Sequence, residues 1–323
     1  MLITRRNVIA GSAVAAGGLA LPAFAKPTTK VRVGYLHTVA VDSQIWLGQH
    51  IESFAKQGLA LEMSRFDTGL TLFQAMVGGS LDVVASGAVI SNFPARGQGK
   101  VFLINDIEFA TAQLWVRPGL GIKSIKDLKG KRIATTKGTT AQVFLDLALK
   151  SVGMTEDDVE VENQSMANAV TSFISGAAVR EKVPGARMLV DASKFYPQAA
   201  IVDGWAARND YYESKKDVLR RIIAGWIEAN DFLVKHTSEA LQVLHSHAYK
   251  EVPINSLHDQ YKDEKAFTAA EWTPLYENGT VTNWLNQVTR FFIRTGGISH
   301  PVMAQKYFDS KLFLEVTNRG TSK

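Results

Sequence analysis

The residues best placed to do chemistry lie in Thr136-Lys137-Gly138-Thr139-Thr140, inside the stretch GKRIATTKGTTAQVFLDLAL from Gly130 to Leu149. Arg132 to Thr136 has the β-branched composition of a short strand, while Ala141, Phe144, Leu145, Ala148 and Leu149 recur at helical spacing. A strand that turns through glycine and threonine into a helix leaves backbone N–H groups unpaired at the helix start, backed by the positive end of the helix dipole. That is a cradle for an anion or polar group, with Lys137, Thr139 and Thr140 as its side chains; simple capping by a threonine is the plainer alternative. The same design recurs where apolar runs end at His37, at Thr68-Gly69 and at Ser86-Gly87.

The elements that position these loops alternate. Val31 to Leu36 reads as a strand, His37 to Ser43 as a polar loop, and Ile45, Trp46, Ile51 and Phe54 as a helix stopped at Gly58. Leu59 to Phe66 is a second strand, Leu72 to Val77 a second helix and Leu81 to Ala85 a third strand, followed by a helix towards Arg96-Gly97. This β-α-β-α rhythm predicts an α/β fold built on a mainly parallel sheet, with ligands gathered at the carboxyl ends of its strands. Val101 to Ile104 and Gln113 to Arg117 add strands, and a crossover near Trp115 to Pro118 leads to a second unit containing Val159 to Val161 and a helix over Ala167 to Ile174. Gln198 to Trp205 reads as the strand that carries the chain back. Beyond Arg208, Val218, Leu219, Ile222, Ile223, Trp226 and Leu233 form one face of a long helix, and further helices over 238–249 and 281–295 read as packing.

Composition narrows the function. A chain of 323 residues, 46% hydrophobic and 21% charged, is globular and large enough for two domains. A net charge of +5 without a dense basic block argues against nucleic acid as a partner. The absence of cysteine excludes disulfides, thiolate metal sites and cysteine nucleophiles. His245 and His247 are two apart and do not share a helix face, so neither a metal nor another cofactor is expected. His37 is the one candidate general base, and Asp42 and Asp203 form no acid/base pair by spacing, so no catalytic residue is assigned. At the start, Arg5-Arg6, the Ala/Gly-rich apolar run to Leu21 and Ala23-Phe24-Ala25 predict a twin-arginine signal peptide over 1–25, cleaved after Ala25, and a periplasmic mature chain.

Val33-Gly-Tyr-Leu36, Arg65-Phe-Asp-Thr-Gly69, Gly79-Ser-Leu-Asp-Val83, Ser124-Ile-Lys-Asp-Leu-Lys-Gly-Lys-Arg-Ile-Ala134 and Lys150-Ser-Val-Gly-Met-Thr-Glu-Asp-Asp-Val159 resemble the nitrate-, sulfonate- and taurine-binding periplasmic proteins of ABC importers. The resemblance implies the two-lobed type II periplasmic-binding-protein fold, each lobe a mainly parallel sheet flanked by helices and joined by two crossover strands. Lobe 1 is expected over 26–115 and 207–323, and lobe 2 over 116–206. It implies a monomer that captures a small, anionic, sulfonate- or taurine-like solute between the lobes, with nitrate, bicarbonate or a carboxylate as alternatives, and delivers it to a membrane permease. Carried onto this chain, the pocket is expected to comprise His37, Gln44, Thr68, Gly69, Ser86, Gly87, Lys137, Thr139, Thr140, Tyr196 and Trp205. Family members continue past the helix ending at Ser175-Gly176-Ala177 with a strand and an aromatic loop that this chain lacks before Ala178. An enzyme acting on a pyrimidine or sulfinate, and a ligand sensor, are the competing readings.

Overall fold

The structure is a computed structural model that describes residues 28–164, 184–296 and 298–320. The expected signal segment, the helix expected over Ala167–Ile174 and the break before Ala178 lie outside the described residues. A five-stranded sheet organises the larger part of the chain, in the order β2 (Leu59–Phe66), β1 (Thr29–Leu36), β3 (Val83–Ser86), β9 (Val202–Ala207), β4 (Lys100–Ile107). β2, β1 and β3 are parallel, and β9 runs antiparallel to both β3 and β4, so four strands point one way and β9 opposes them. Their inward positions, among them Val31, Val33, Val84, Leu103, Ile104 and Trp205, are almost wholly buried.

Smaller ladders make up the second unit. β5 (Gln113–Val116) pairs antiparallel with β8 (Arg187–Asp191), and β6 (Arg132–Thr135) pairs parallel with β7 (Glu160–Asn163). The chain passes between the five-stranded sheet and these ladders at 108–112 and again at 192–201. Asp82 pins the outer end of the large sheet: it accepts from the Arg32 backbone N–H and guanidinium at 2.7–3.2 Å. Burial alone would raise its carboxyl, but these bonds outweigh it and hold Asp82 below the usual carboxylate range.

Helices cover the sheets. α1 (Val39–His50) packs on α4 (Lys216–Lys235), followed by α5 (Thr237–His247), α6 (Ile254–Asp263), α7 (Ala269–Glu277), α8 (Thr280–Arg294) and α9 (Ser310–Gly320). α2 (Gly69–Val77) lies against β1 and β3, and α3 (Thr140–Lys150) opens the second unit. Two local expectations are corrected. The loop after β1 is only His37 and Thr38, because Val39 and Leu47 pack on one side of the helix and Val41 and Ile45 on the other, so that burial almost all round extends it back to Val39. The segment after Ser86 forms two 3₁₀ turns, Ala88–Ser91 and Pro94–Arg96, where an α-helix was expected, since Pro94 has no N–H to donate to a continuing helix.

Candidate functional site

The carboxyl ends of β1, β2, β3 and β4 share one rim, and the N-terminal end of β9 joins them because it runs the other way. Ser86 and Gly87, Glu108 and Asp203 therefore come together from three strands. The start of α3 meets this rim from the second unit. The Ala88 N–H donates to Thr140 Oγ1 at 3.3 Å, and the Thr140 hydroxyl also hydrogen bonds Glu108. A β-carbon built on Gly87 would stand 3.0 Å from Thr140 Oγ1, 3.2 Å from Asp203 Oδ1 and 3.6 Å from Glu108 Oε1. Gly87 has φ −70°, so it is close approach, by Thr140 from the second unit and by Asp203 and Glu108 from its own sheet, rather than backbone conformation, that leaves no room for a side chain. Thr139 adds no side-chain cap to α3; its hydroxyl donates to the Thr136 carbonyl at 2.8 Å instead, so the N–H groups at that helix end are not taken by it.

Four carboxyl groups stand at this rim. Asp106 and Asp203 are direct cross-strand partners, each about 1% exposed, with Glu108 two residues further along, just past the end of β4. Glu264 belongs to the same group, because Lys265 bridges Ile107 in antiparallel register. Burial is the first cause that pushes all four carboxyls upward. Mutual repulsion adds to it at Asp106, Asp203 and Glu264, whereas hydrogen bonds from Thr111, Asp203 and Thr140 pull Glu108 back. Asp203 and Glu108 share a hydrogen bond, which requires a proton on one of the two.

Beside this group, Asp42 is buried and accepts from His37 Nδ1 at 2.6 Å, from Trp46 Nε1 at 2.8 Å and from the Tyr249 hydroxyl. Burial raises the Asp42 carboxyl, against the pull of these three donors. The His37 ring stacks on Tyr249 at 4.4 Å, so its orientation is fixed from two sides.

The other expected residues divide. Gly69 backs the site, since a β-carbon there would come within 2.9 Å of Ser86 Oγ, a fully buried hydroxyl with no partner. Thr68 caps α2 by accepting from the Thr71 N–H at 3.2 Å. Lys137 is exposed, and its backbone N–H donates to Asn163 Oδ1 at 2.9 Å. Tyr196 sits beside the second crossing, edge-on to Phe109 with ring centroids 5.6 Å apart. Gln44 and Trp205 are corrected: both are core groups. Gln44 bonds Asn230 of α4 at 3.2 Å, and Trp205 is wholly buried with its indole N–H on Asn105 Oδ1, which also accepts from Trp226 at 2.7 Å. Asp106, Glu108 and Glu264 were missed from the sequence. The signal was available in Asn105-Asp106-Ile107-Glu108, where two acids share one face at the end of an apolar strand.

Two further features bear on the chemistry. A groove of about 190 Å³ between α3 and α8 includes none of the expected pocket residues, and Asp146 ties Lys150 and Arg294 together there at 2.8 and 2.7 Å. Among the described residues no group of three or more His, Asp or Glu could hold a metal ion, and no helix is long and apolar enough to cross a membrane.

Comparison with known proteins places this geometry. The family model described as NMT1/THI5 like matches residues 49–240. A protein of Brucella abortus (strain 2308), named only as a binding protein, is 28% identical over 295 residues, covering 88% of this chain and 91% of its own. The taurine-binding periplasmic protein of Escherichia coli (strain K12) is 26% identical over 242 residues, covering 71% and 72%. Among solved structures, the alkanesulfonate-binding protein SsuA from Xanthomonas axonopodis pv. citri bound to MOPS superposes with a TM-score of 0.67 at 17% identity, over 87% of this chain and 98% of that one. The periplasmic nitrate-binding protein NrtA from Synechocystis PCC 6803 gives 0.67 at 12% identity over 90% and 89%. An enzyme shares the fold too: the desulfurization enzyme DSZB gives 0.60 at 12% identity over 90% and 99%. These likenesses are those of the periplasmic-binding-protein fold.

Proposed function

Because the chain belongs to the NMT1/THI5-like family, we propose that it is the extracytoplasmic solute-binding component of an ABC import system, and that it captures a small polar solute between its two lobes. The observation that carries this reading is the meeting of Ala88 and Glu108 with Thr140, which brings the rim of one lobe against a helix start of the other. Two units with a small free-energy difference between open and closed forms close when a solute bridges them, and the closed form is what a permease recognises. We place the two crossings at 108–112 and 192–201, where the strand pairing changes sheet, rather than near residues 115 and 206. The pocket so defined keeps His37, Ser86, Gly87, Thr139 and Thr140, with Gly69 behind them, and adds Glu108 and Asp203. The first-choice solute is a taurine-like sulfonate, whose anionic end meets the N–H groups of α3; each such helix end contributes roughly 0.3–1 kcal/mol. Export on the Arg5-Arg6 signal with cleavage after Ala25, and a monomeric mature chain, complete the proposal.

A thermal-shift screen of the mature protein tests it, because a solute at about 100 times its Kd adds roughly 2.7 kcal/mol to stability. Stabilisation by at least one small sulfonate, amino-sulfonate, amine, carboxylate or pyrimidine is expected. No stabilisation across all these classes would count against solute capture. The His37–Asp42 pair favours a second reading, an enzyme that uses His37 as a base oriented by Asp42, as carboxylates orient histidine elsewhere. Release of product from a sulfinate or pyrimidine by the purified protein, lost in His37→Gln, would decide for it.

A further inference from the structure

We infer that the solute held in this cleft carries a cationic nitrogen group, a protonated amine or an amidine, and that this group seats on Asp203, Glu108 and Asp106. The inference rests on the solute-binding reading and makes the nitrogen end of the solute, rather than its anionic end, the required one.

Strand geometry puts the carboxyls together without a counter-charge. Asp106 and Asp203 face each other across the β4–β9 ladder, an arrangement that costs stability unless something intervenes. Lys265, next to Glu264, pairs with Ile107 and so points to the opposite face of β4. There its ammonium lies 5.1 Å from the ring centre of Phe109, 5.3 Å from Phe267 and 5.4 Å from Tyr196, occupied by aromatic faces. No basic side chain acts on Asp106 or Glu108 among the described residues.

Independent of the clustering, the oxygens themselves ask for a donor. Both oxygens of Asp106 and Oδ1 of Asp203 are buried and have no hydrogen-bond partner, and neither has the adjacent hydroxyl of Ser86. Asp203 Oδ1 and Glu108 Oε1 point at the space beside Gly87, where the second lobe touches the first. Buried carboxyls are satisfied by donors, and three N–H bonds from one ammonium match this set. A bare anion brought to the same rim meets like charge. An amino-sulfonate satisfies both ends: its anion lies at the start of α3 and its ammonium on the acids.

The test pairs taurine with ethanesulfonate, which differ only in the amine, in calorimetric titrations of the mature chain; ethylamine, benzamidine and sodium nitrate complete the panel. At least one nitrogen cation binding tenfold or more tightly than its amine-free counterpart is expected. Asp203→Asn should weaken that binding at least tenfold while raising the melting temperature of the unliganded protein, because it removes a like charge. A merely structural role would lower both. Ethanesulfonate or nitrate binding as tightly as the nitrogen compounds, or unchanged binding in Asp203→Asn, overturns the inference and leaves solute capture standing. Absence of binding by every compound in the panel, together with a negative thermal-shift screen, overturns both.

Discussion

Replacing Gly87 with alanine isolates the lobe-to-lobe contact from the stability of either lobe. The new β-carbon would lie 3.0 Å from Thr140 Oγ1 and 3.2 Å from Asp203 Oδ1, both inside ordinary van der Waals separation, with Glu108 Oε1 at 3.6 Å. Thr140 belongs to the other lobe, so the methyl group meets it only when the lobes close, whereas Asp203 and Glu108 stand in the same sheet as Gly87 and crowd the methyl group in either form. Overpacking of this kind costs about 1–3 kcal/mol, equivalent to about a 5- to 150-fold rise in Kd if it falls on the closed form alone. The backbone at Gly87, φ −70°, needs no left-handed conformation, so alanine brings no strain of that kind. By restricting the unfolded chain it adds roughly 0.4–1 kcal/mol to stability. The crowding by Asp203 opposes that gain, so Gly87→Ala is expected to change the unliganded melting temperature little, yet to bind any solute found in the screen at least fivefold more weakly by calorimetry. Unchanged affinity would refute the wedge argument, and an equal fall in melting temperature would assign Gly87 to packing within one lobe.

Thr139→Ala combined with Thr140→Ala removes the hydroxyl that clasps Ala88 and Glu108; affinity should fall about three- to thirtyfold, from one or two lost hydrogen bonds, with little change in unliganded melting temperature. Asn105→Ala leaves the indole N–H groups of Trp205 and Trp226 without their acceptor, so chemical denaturation should report a loss of about 1–3 kcal/mol without an effect on the cleft. The acid group gives stability a definite sign with pH. Asp106, Asp203, Glu108 and Glu264 have raised folded values, so the native chain holds protons that the unfolded chain releases. Stability is then greatest below the ordinary carboxylate range and falls as pH rises through the raised values, by about 1.4 kcal/mol per pH unit for each such group. Asp82 acts in the opposite sense: its lowered value gives stability that is present above about pH 4 and lost as pH falls through that value. Melting curves between pH 4 and 8 should therefore flatten in Asp106→Asn, with the variant the more stable at pH 8; an unchanged slope would contradict the acid-group account.

What could be read in advance was local. The strand, turn and helix of β6 and α3 are encoded in consecutive residues, and the boundaries Arg132–Thr135 and Thr140–Lys150 follow from apolar spacing and the glycine between them. Helix α4 was equally legible, because its apolar face repeats along a single segment. The acids were not, for two reasons. Asp106 and Glu108 look like the end of an apolar strand, although β4 continues through Asp106 to Ile107 because β9 pairs with it, and Glu108 follows directly. Asp203 comes to face Asp106 only through that ladder, which joins segments far apart in the chain. Trp205 illustrates the converse error: a tryptophan near a crossover suggests a ligand wall, but its indole found Asn105 and its ring the core between the sheet and α4. Gln44 likewise sits one turn into a helix whose inner face turns to Asn230, away from the rim.

The central claim is that solute capture closes two lobes on the rim at Gly87, and the absence of cysteine makes it directly measurable. Arg65→Cys in one lobe and Glu160→Cys in the other, both at exposed positions, permit a donor and acceptor dye pair for single-molecule energy transfer. The account predicts a long-distance population without solute and conversion to a single shorter distance as solute is added, with the same midpoint as the calorimetric titration. A distance that stays fixed while calorimetry records binding would contradict it.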